Sequence, residues 1–261
     1  MTNFEFLQKY FHLQDQVSFD KLFDLSFALL GYSKTDISSL SNNSLINTVL
    51  TPDQLKIVCQ KFKDLNRNPS IYFENRTDLE PLKKMLVDNG FKQDFEDSWM
   101  FYDQSVEPNE KFSCVKIVED ENDLKIFLET FDNCYQKDDP QNPYGDVKGF
   151  LTSSRNSWLK HKGTERLEYY LAFKDNKPVA VSALNSHEKI GYISSVGSLK
   201  EVRGEGFGKI ATLFAVFRSQ KLGNDLHCLA TEEGTYPNGF YKRIGFKTKF
   251  TAPLYTKNKT S

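Results

Sequence analysis

The chain has 261 residues and a formal net charge of −1 at pH 7; 39% of its residues are hydrophobic and 26% are charged. This length allows one large domain or two smaller ones, and the composition is typical of a soluble globular protein. The near-zero charge argues against a mainly electrostatic grip on nucleic acid. No run of about 18 apolar residues is present that would span a membrane. We therefore expect neither nucleic acid nor a membrane as a partner.

The cysteines and the first residues indicate a cellular compartment. Cys59, Cys114, Cys134 and Cys228 are far apart in the sequence and have no metal-binding spacing, and the four histidines are equally scattered. No metal site is therefore predicted, and free thiols are typical of a reducing compartment. Residues 1–6 lack the basic and apolar regions of a signal peptide. Together these features favour a cytoplasmic protein.

The first quarter of the chain, residues 1–66, is predicted to be helical. One apolar pattern begins at Phe4, and a denser pattern over residues 19–31 predicts a buried helix that a glycine closes. Residues 33–48 are rich in Ser and Asn and predict a loop or a short helix. A further helix is predicted to begin at Pro52, because proline is favoured at the first helical position.

The next region mixes strands with a helix. Residues 70–74 predict a strand, residues 79–89 predict a helix that ends at Gly90, and residues 95–102 predict another strand. This region contains no residues whose pattern indicates chemistry.

A polar segment at residues 106–111, which contains one proline, is the predicted linker. It divides the chain into an N-terminal domain of residues 1–111 and a C-terminal domain of residues 112–261. The pattern of the second domain is more regular. Its predicted elements are a strand at 114–118, a helix at 121–135, a loop at 136–145, one or two helices in 146–162, a hairpin of strands 167–173 and 179–184 with Asp-Asn at its turn, a strand at 191–198, a helix that ends at 222, a strand at 225–231 and a last strand over 246–255.

The most informative stretch is the sequence Val-Arg-Gly-Glu-Gly-Phe-Gly-Lys at residues 202–209, between a predicted strand and a predicted helix. Glycine at such a turn lets the backbone approach a ligand closely. The first amides of a helix have no partner within the helix, and the helix dipole favours an anion there. The stretch therefore predicts a seat for phosphate.

Three phosphate-binding patterns compete for these glycines. A dinucleotide fingerprint fails because its third glycine would fall at Lys209, and a P-loop fails because its first glycine would fall at Arg203 and its Ser or Thr at Ile210. The pattern R-x-x-G-x-G is met by Arg203, Gly206 and Gly208. In this setting it resembles the pyrophosphate loop of the GCN5-related (GNAT) acetyltransferases, which bind acetyl-CoA. A flexible glycine turn without a ligand is the alternative.

A second motif supports the resemblance. Residues 240–246, Phe-Tyr-Lys-Arg-Ile-Gly-Phe, are similar to the helix that closes GNAT domains, and the predicted element order of residues 112–256 is also the GNAT order. The resemblance implies an α/β (α+β) fold with a mixed, mostly antiparallel central sheet flanked by helices. Residues 70–102 end in a similar helix-Gly-Phe-strand order without the glycine loop. The N-terminal α/β accessory domain is therefore either a degenerate GNAT-like half or an unrelated small unit.

The resemblance also implies where the cofactor binds. In this family, the strand before the glycine loop splays from the next strand, and its freed backbone pairs with the pantetheine arm. Carried over to this sequence, the pantetheine contacts fall on Val196, Gly197 and Ser198. The pyrophosphate contacts fall on Arg203, Gly204, Glu205, Gly206, Phe207, Gly208 and Lys209.

The same resemblance assigns the chemistry. Tyr241 matches the position that donates a proton to the CoA thiolate, and a tyrosine of the core is the alternative. Glu232, Glu233 and His227 are weak candidates for the base, and each is more typical of a structural or solvent-facing residue. A water chain would also serve, since positioning alone supplies much of the rate.

Two features depart from the family or stay open. Many members carry Asn at the position of Gly234, and Asn238 is out of register, which puts the usual side-chain contact to the cofactor in doubt. By family analogy, the loop with Asp138 and Asp139 and the helices after it would line the acceptor side. The acidic pair would suit a cationic amine, although such a loop is more often only solvated.

The sequence therefore predicts an acetyl-CoA-dependent N-acetyltransferase. Its acceptor would be the primary amine of a small molecule, a peptide or a protein, and that amine would attack the thioester directly. The alternative is a non-catalytic CoA-binding or regulatory module. The acceptor and the oligomeric state are not readable from the sequence.

Overall fold

The computed structural model describes residues 1–136, 139 and 147–258. It confirms the predicted class, a mixed, mostly antiparallel sheet flanked by helices. Within these residues, no helix combines the length and apolarity that a membrane span requires. The elements are α1 (Asn3–Gln14), β1 (Lys21–Asp24), β2 (Ala28–Tyr32), β3 (Asn43–Ile46), α2 (Pro52–Asp64), β4 (Ser70–Tyr72), α3 (Glu80–Asp88), β5 (Lys92–Phe101), β6 (Val115–Ile117), α4 (Glu121–Cys134), α5 (Lys148–His161), β7 (Leu167–Lys174), β8 (Lys177–His187), β9 (Ile190–Ser198), α6 (Phe207–Lys221), β10 (Leu226–Glu232), α7 (Tyr236–Ile244) and β11 (Lys247–Thr256).

The chain forms two compact units. The first unit comprises Met1–Trp99, Thr231–Asn238 and Thr248–Ser261, and the second unit comprises Met100–Ala230 and Gly239–Lys247. The last strand of the chain thus belongs to the first unit. The predicted boundary between two sequence domains stays a prediction.

The first unit contains the strand order β1-β2-β3-β4-β11. These strands pair antiparallel except for β3 and β4, which are parallel and are connected through α2. Helices α2 and α3 bury Val58, Phe62 and Leu86 against strand residues such as Ile71. These apolar contacts form the core of the unit.

The helix predicted over residues 19–31 was wrong, since this segment forms the hairpin of β1 and β2. The Asp24 side chain accepts a hydrogen bond from the Ser26 amide at 2.7 Å, and Ser26 has a left-handed φ of 66°, so the chain reverses here. Gly31 does not cap a helix. A Cβ on it would lie 2.6 Å from the ring of Phe19, which packs there. A dense apolar run does not distinguish a buried strand from a buried helix.

The prediction for residues 33–48 was incomplete. A short 3₁₀ helix spans Ser39–Ser41, but the strand β3 follows it directly. The strand is hidden in the sequence because two of its four residues, Asn43 and Ser44, are polar. The hydroxyl of Ser44 donates to the Ser70 carbonyl at 3.2 Å, which satisfies it in the interior.

The start of α2 confirms the predicted helix at Pro52. Thr51 and Gln54 form a capping box, in which each side chain accepts a hydrogen bond from the backbone amide of the other. The predicted strand, helix and strand between residues 70 and 102 are also confirmed as β4, α3 and β5. Gly90 follows α3 with a left-handed φ of 81°.

The first unit contains a chain of hydrogen bonds that ends on a carboxyl group. The indole of Trp99 donates to the Tyr72 hydroxyl at 2.7 Å, and that hydroxyl donates to Asp97 at 2.8 Å. Burial is the main cause that raises the pKa of Asp97 to about 7; the negative charge of Glu232 contributes to this shift, and the Tyr72 hydrogen bond opposes it.

This pKa predicts a pH dependence of stability. Between the unshifted pKa of 3.8 and about 7, the folded protein holds the Asp97 proton more firmly than the unfolded chain, so stability falls as the pH rises through this window. Asp97→Asn retains an acceptor for Tyr72 and removes the titration. We expect this variant to be more stable than the wild type by about 4 kcal/mol at pH 7.5 and by less than about 1 kcal/mol near pH 4.

Urea denaturation at a series of pH values measures this difference. Asp94→Asn, at an exposed position of the same strand, is the matched control. Parallel stability profiles for wild type and Asp97→Asn would contradict the assignment.

The second unit contains the strand order β10-β9-β8-β7-β6. The pairs are antiparallel except for β9 and β10, which are parallel and are joined through α6. Tyr169 on β7 stacks on Phe127 of α4, and the next residue, Tyr170, contacts Phe214 of α6. Because successive strand residues point to opposite faces, α4 and α6 cover opposite faces of this sheet.

The predicted hairpin is confirmed as β7 and β8. Its turn residues Asp175 and Asn176 have φ values of 50° and 61°, the conformation that a two-residue hairpin turn requires. The predicted helical region after residue 146 is the single helix α5. The loop predicted over residues 136–145 lies largely outside the described residues.

Candidate cofactor site

The strands β9 and β10 part after a short ladder. Their pairing runs from Ile190–Leu226 to Tyr192–Cys228 and ends there, while β9 continues to Ser198. The far part of β9 therefore keeps its pairing with β8 on one edge and has no ladder partner on the other among the described residues. This is the splayed geometry that the sequence resemblance implies.

A bulge bends β9 within its free part. Ser194 pairs with Ala183 and Gly197 pairs with Val181, so Ser195 and Val196 together oppose one residue of β8. Ser195 has a left-handed φ of 53°. Bulges re-aim the backbone of a strand, and this one lies at the segment predicted to pair with pantetheine.

The end of α4 contacts the same segment. The hydroxyl of Tyr135 donates to the Val196 carbonyl at 2.5 Å, and a Cβ on Gly197 would lie 2.7 Å from the Cβ of Cys134. Gly197 is therefore required for the close approach of α4. One lone pair of the Val196 carbonyl therefore already has a partner, and no local pattern predicts this contact.

The glycine loop has the conformation that its composition predicts. Gly204 and Gly206 have φ values of 87° and 93°, in the left-handed region that favours glycine. A Cβ at either position would meet nothing within 4 Å, so both face open space. The helix α6 begins directly behind them at Phe207.

The first turn of α6 presents unpaired donors. No side chain caps the helix, and its first backbone hydrogen bond runs from the Ile210 amide to the Gly206 carbonyl. The amides of Phe207, Gly208 and Lys209 have no acceptor among the described residues. Three such donors at the positive end of a helix dipole favour an anion, and they suit a diphosphate. We call these three amides the amide seat.

Two of the loop's charged side chains, Arg203 and Glu205, form ion pairs with residues outside the loop. Arg203 forms an ion pair of 2.7 Å with Asp139 and donates to the Cys134 carbonyl at 3.4 Å. Glu205 forms an ion pair of 2.6 Å with Lys174. The loop therefore offers backbone amides, rather than the Arg203 guanidinium, to an anion.

The structure brings three of the predicted pieces together. A Cβ on Gly208 would lie 3.8 Å from both the Ser198 hydroxyl and the ring of Phe240. The end of β9, the start of α6 and the helix α7 thus converge at one place in the second unit. Tyr241, the neighbour of Phe240, is only 9% exposed and packs edge-on against the ring of Phe246.

Comparisons with solved structures identify the fold of the chain. No family model matches the chain, and no curated protein matches it either. Among solved structures, a GCN5-related N-acetyltransferase from Kribbella flavida has a TM-score of 0.66 at 17% identity, over 94% of this chain and 92% of that one. The chain has the GNAT fold. A functionally unknown protein from Staphylococcus epidermidis reaches the same TM-score at 14% identity, over 92% of this chain and 94% of its own.

A third structure bears on the two halves of the chain. A tandem GNAT protein from the clavulanic acid biosynthesis pathway has a TM-score of 0.55 at 10% identity, over 88% of this chain and 77% of that one. The GNAT order of a parallel strand pair around a helix, then a helix, Gly-Phe and a strand occurs twice here, from β3 to β5 and from β9 to β11.

The two crossover helices differ at their starts. In α2, the side chains of Thr51 and Gln54 occupy the helix N-terminus as a capping box. In α6, the corresponding amides are open behind Gly206. Only the second of these two helices therefore offers an amide seat, which agrees with the absence of a glycine loop from the N-terminal half.

His227, one of the candidate bases, is buried and hydrogen-bonded to a helix. It pairs with Gly191 at the closed end of the β9–β10 ladder, and its Nδ1 lies 2.7 Å from the Ser219 hydroxyl near the end of α6. Burial lowers the pKa of His227. We conclude that its role is structural.

The candidate bases Glu232 and Glu233 lie in the first unit, and so does Gly234. Glu232 ends β10 and is exposed, and Glu233 accepts a hydrogen bond from the buried Asn238 amide at 3.4 Å. Gly234, where many GNAT members have Asn, has a left-handed φ of 78°. Glu232 and Glu233 stay predictions as bases.

The structure describes only one of the two aspartates predicted to line the acceptor side. Asp138 lies outside the described residues. The Asp139 side chain is only 7% exposed and is held by Arg203, so its charge is already compensated. Within the described part of the chain, no cluster of three or more His, Cys, Asp or Glu residues is placed to hold a metal ion.

Proposed function

We propose that the chain is an acetyl-CoA-dependent N-acetyltransferase that transfers the acetyl group to a primary amine and releases CoA. The observation that carries this proposal is the amide seat of Phe207, Gly208 and Lys209, unpaired behind two left-handed glycines. Its position beside the splayed edge of β9 supports a ligand with both a diphosphate and an extended, amide-bearing arm. The GNAT fold supports acetyl-CoA as that ligand.

Each part of the site has a task in this proposal. When bound, acetyl-CoA would supply a thioester whose carbonyl carbon the acceptor amine attacks. The amide seat holds the diphosphate, and the free edge of β9 near Val196 and Ser198 aligns the pantetheine arm. Tyr241 donates a proton to the departing sulfur. We assign the proton lost by the amine to water, since positioning supplies much of the rate.

The acceptor is proposed to be a primary amine on a small molecule, a peptide or a protein, and the setting is proposed to be the cytoplasm. A second candidate function is a non-catalytic CoA-binding or regulatory module. Gly234 in place of Asn favours it, and so does the structural role of His227. This candidate predicts cofactor binding without transfer to any amine.

Isothermal titration calorimetry with acetyl-CoA tests the proposal, with ATP and NAD as controls. We expect micromolar affinity for acetyl-CoA and much weaker binding of both controls. Release of the CoA thiol in the presence of a panel of primary amines then separates the two candidate functions. Binding without release for every amine would favour the non-catalytic module, and the absence of binding would overturn both.

A further inference from the structure

The glycine loop contains an acidic residue beside the seat for an anion. Glu205 directly precedes Gly206, the residue that caps α6, and the three free amides follow. A carboxylate near a helix N-terminus is stabilised by the same amides and dipole that attract phosphate. Glu205 is therefore an internal competitor for the amide seat and a like charge next to it.

In the structure, a lysine from another strand holds this carboxylate. The Nζ of Lys174 lies 2.6 Å from Oε2 of Glu205, and the two side chains are 40% and 42% exposed. Lys174 is the last residue of β7, so the tight turn at Asp175 and Asn176 fixes its backbone. Arg203, a second cation of the loop, is occupied by Asp139. The exposed Lys209 forms no ion pair with Glu205 in the described part of the chain.

We propose that Lys174 is a positioning residue for the cofactor, which neutralises Glu205 and holds it away from the amides of Phe207, Gly208 and Lys209. This inference rests on the proposed function, because the diphosphate it serves is that of acetyl-CoA. Without Lys174, the carboxylate is free to turn toward the helix N-terminus. The incoming diphosphate would then meet both an occupied seat and a negative charge.

Calorimetric titration with acetyl-CoA at low ionic strength measures the effect. Lys174→Ala is expected to raise the Kd about five- to tenfold. Lys177→Ala is the matched control, because Lys177 lies directly opposite Lys174 in the hairpin, carries the same charge and makes no ion pair in the described part of the chain. We expect it to change the Kd less than about twofold.

A second pair of variants isolates the carboxylate. Glu205→Gln alone is expected to bind acetyl-CoA at least as tightly as the wild type, and Lys174→Ala combined with Glu205→Gln is expected to return the Kd to within about twofold of it. The deficit of Lys174→Ala should also shrink as salt screens the Glu205 charge. Equal effects of the two lysine variants, or no recovery in the double variant, would overturn the inference.

A titration with ADP separates this inference from the proposed function, since ADP has a diphosphate but no pantetheine arm. Lys174→Ala could weaken ADP binding, with recovery in the double variant, while the protein shows no preference for acetyl-CoA. In that case the inference stands and the proposed function falls. If acetyl-CoA binds tightly and all the variants have the wild-type Kd, the proposed function stands and the inference falls. If the wild type binds neither ligand, both are overturned.

Discussion

With Gly206 replaced by glutamate, the protein is expected to lose more than about 100-fold of its affinity for acetyl-CoA. Gly206 has a φ of 93° and is the N-cap of α6, so any other residue there is strained. Glutamate also places a carboxylate in front of the free amides of Phe207, Gly208 and Lys209, where it repels a diphosphate. Both effects act on the seat that the proposed function requires.

Two further variants separate strain from charge. Gly206→Ala imposes the strained backbone without the carboxylate, and we expect an affinity loss of about tenfold or less. Gly163→Glu introduces glutamate at another open, left-handed glycine, whose φ is 76° and whose Cβ would meet nothing within 4 Å. We expect this variant to bind as the wild type does. If Gly206→Glu retained wild-type affinity by calorimetry, the amide seat would not be the diphosphate site.

The glycine loop could be predicted from the sequence because its signals are local. Gly204 and Gly206 need no partner from elsewhere in the chain to adopt a positive φ, and a helix begins directly behind them. The hairpin turn at Asp175 and Asn176 is equally local. These are cases in which the residues themselves limit the backbone to few conformations.

The errors concern segments whose structure depends on distant partners. Residues 19–31 form strands because β2 pairs with β3 and because Phe19 packs on Gly31. The local sequence pattern predicts neither contact. The position of His227, whose role the sequence left open, is likewise set by the register of β10 against β9. A strand and a buried helix share the same apolar composition, so pairing decides between them.

The residues missed at the site are also partners from distant positions. Tyr135 reaches the Val196 carbonyl across 61 positions of the chain, and Lys174 reaches Glu205 across 31. In the sequence, neither residue belongs to a recognisable motif, and only the fold brings each one to its partner. The resemblance indicated the loop but not the side chains that set its charge, because those belong to this chain.

Replacing Tyr241 by phenylalanine is expected to lower kcat about 10²-fold while the Kd of acetyl-CoA stays within about twofold of the wild type. The change removes only the hydroxyl that would protonate the departing sulfur. The ring keeps its edge-on contact with Phe246 and its place in the core of the second unit.

Tyr102→Phe is the matched control, because Tyr102 is 8% exposed and also packs on Phe246. With an amine that the wild type acetylates, the release of CoA thiol gives kcat and calorimetry gives the Kd. A fall in kcat for Tyr241→Phe alone would assign the proton to Tyr241. An equal fall for both variants, or no fall, would make Tyr241 a core residue and leave water as the donor.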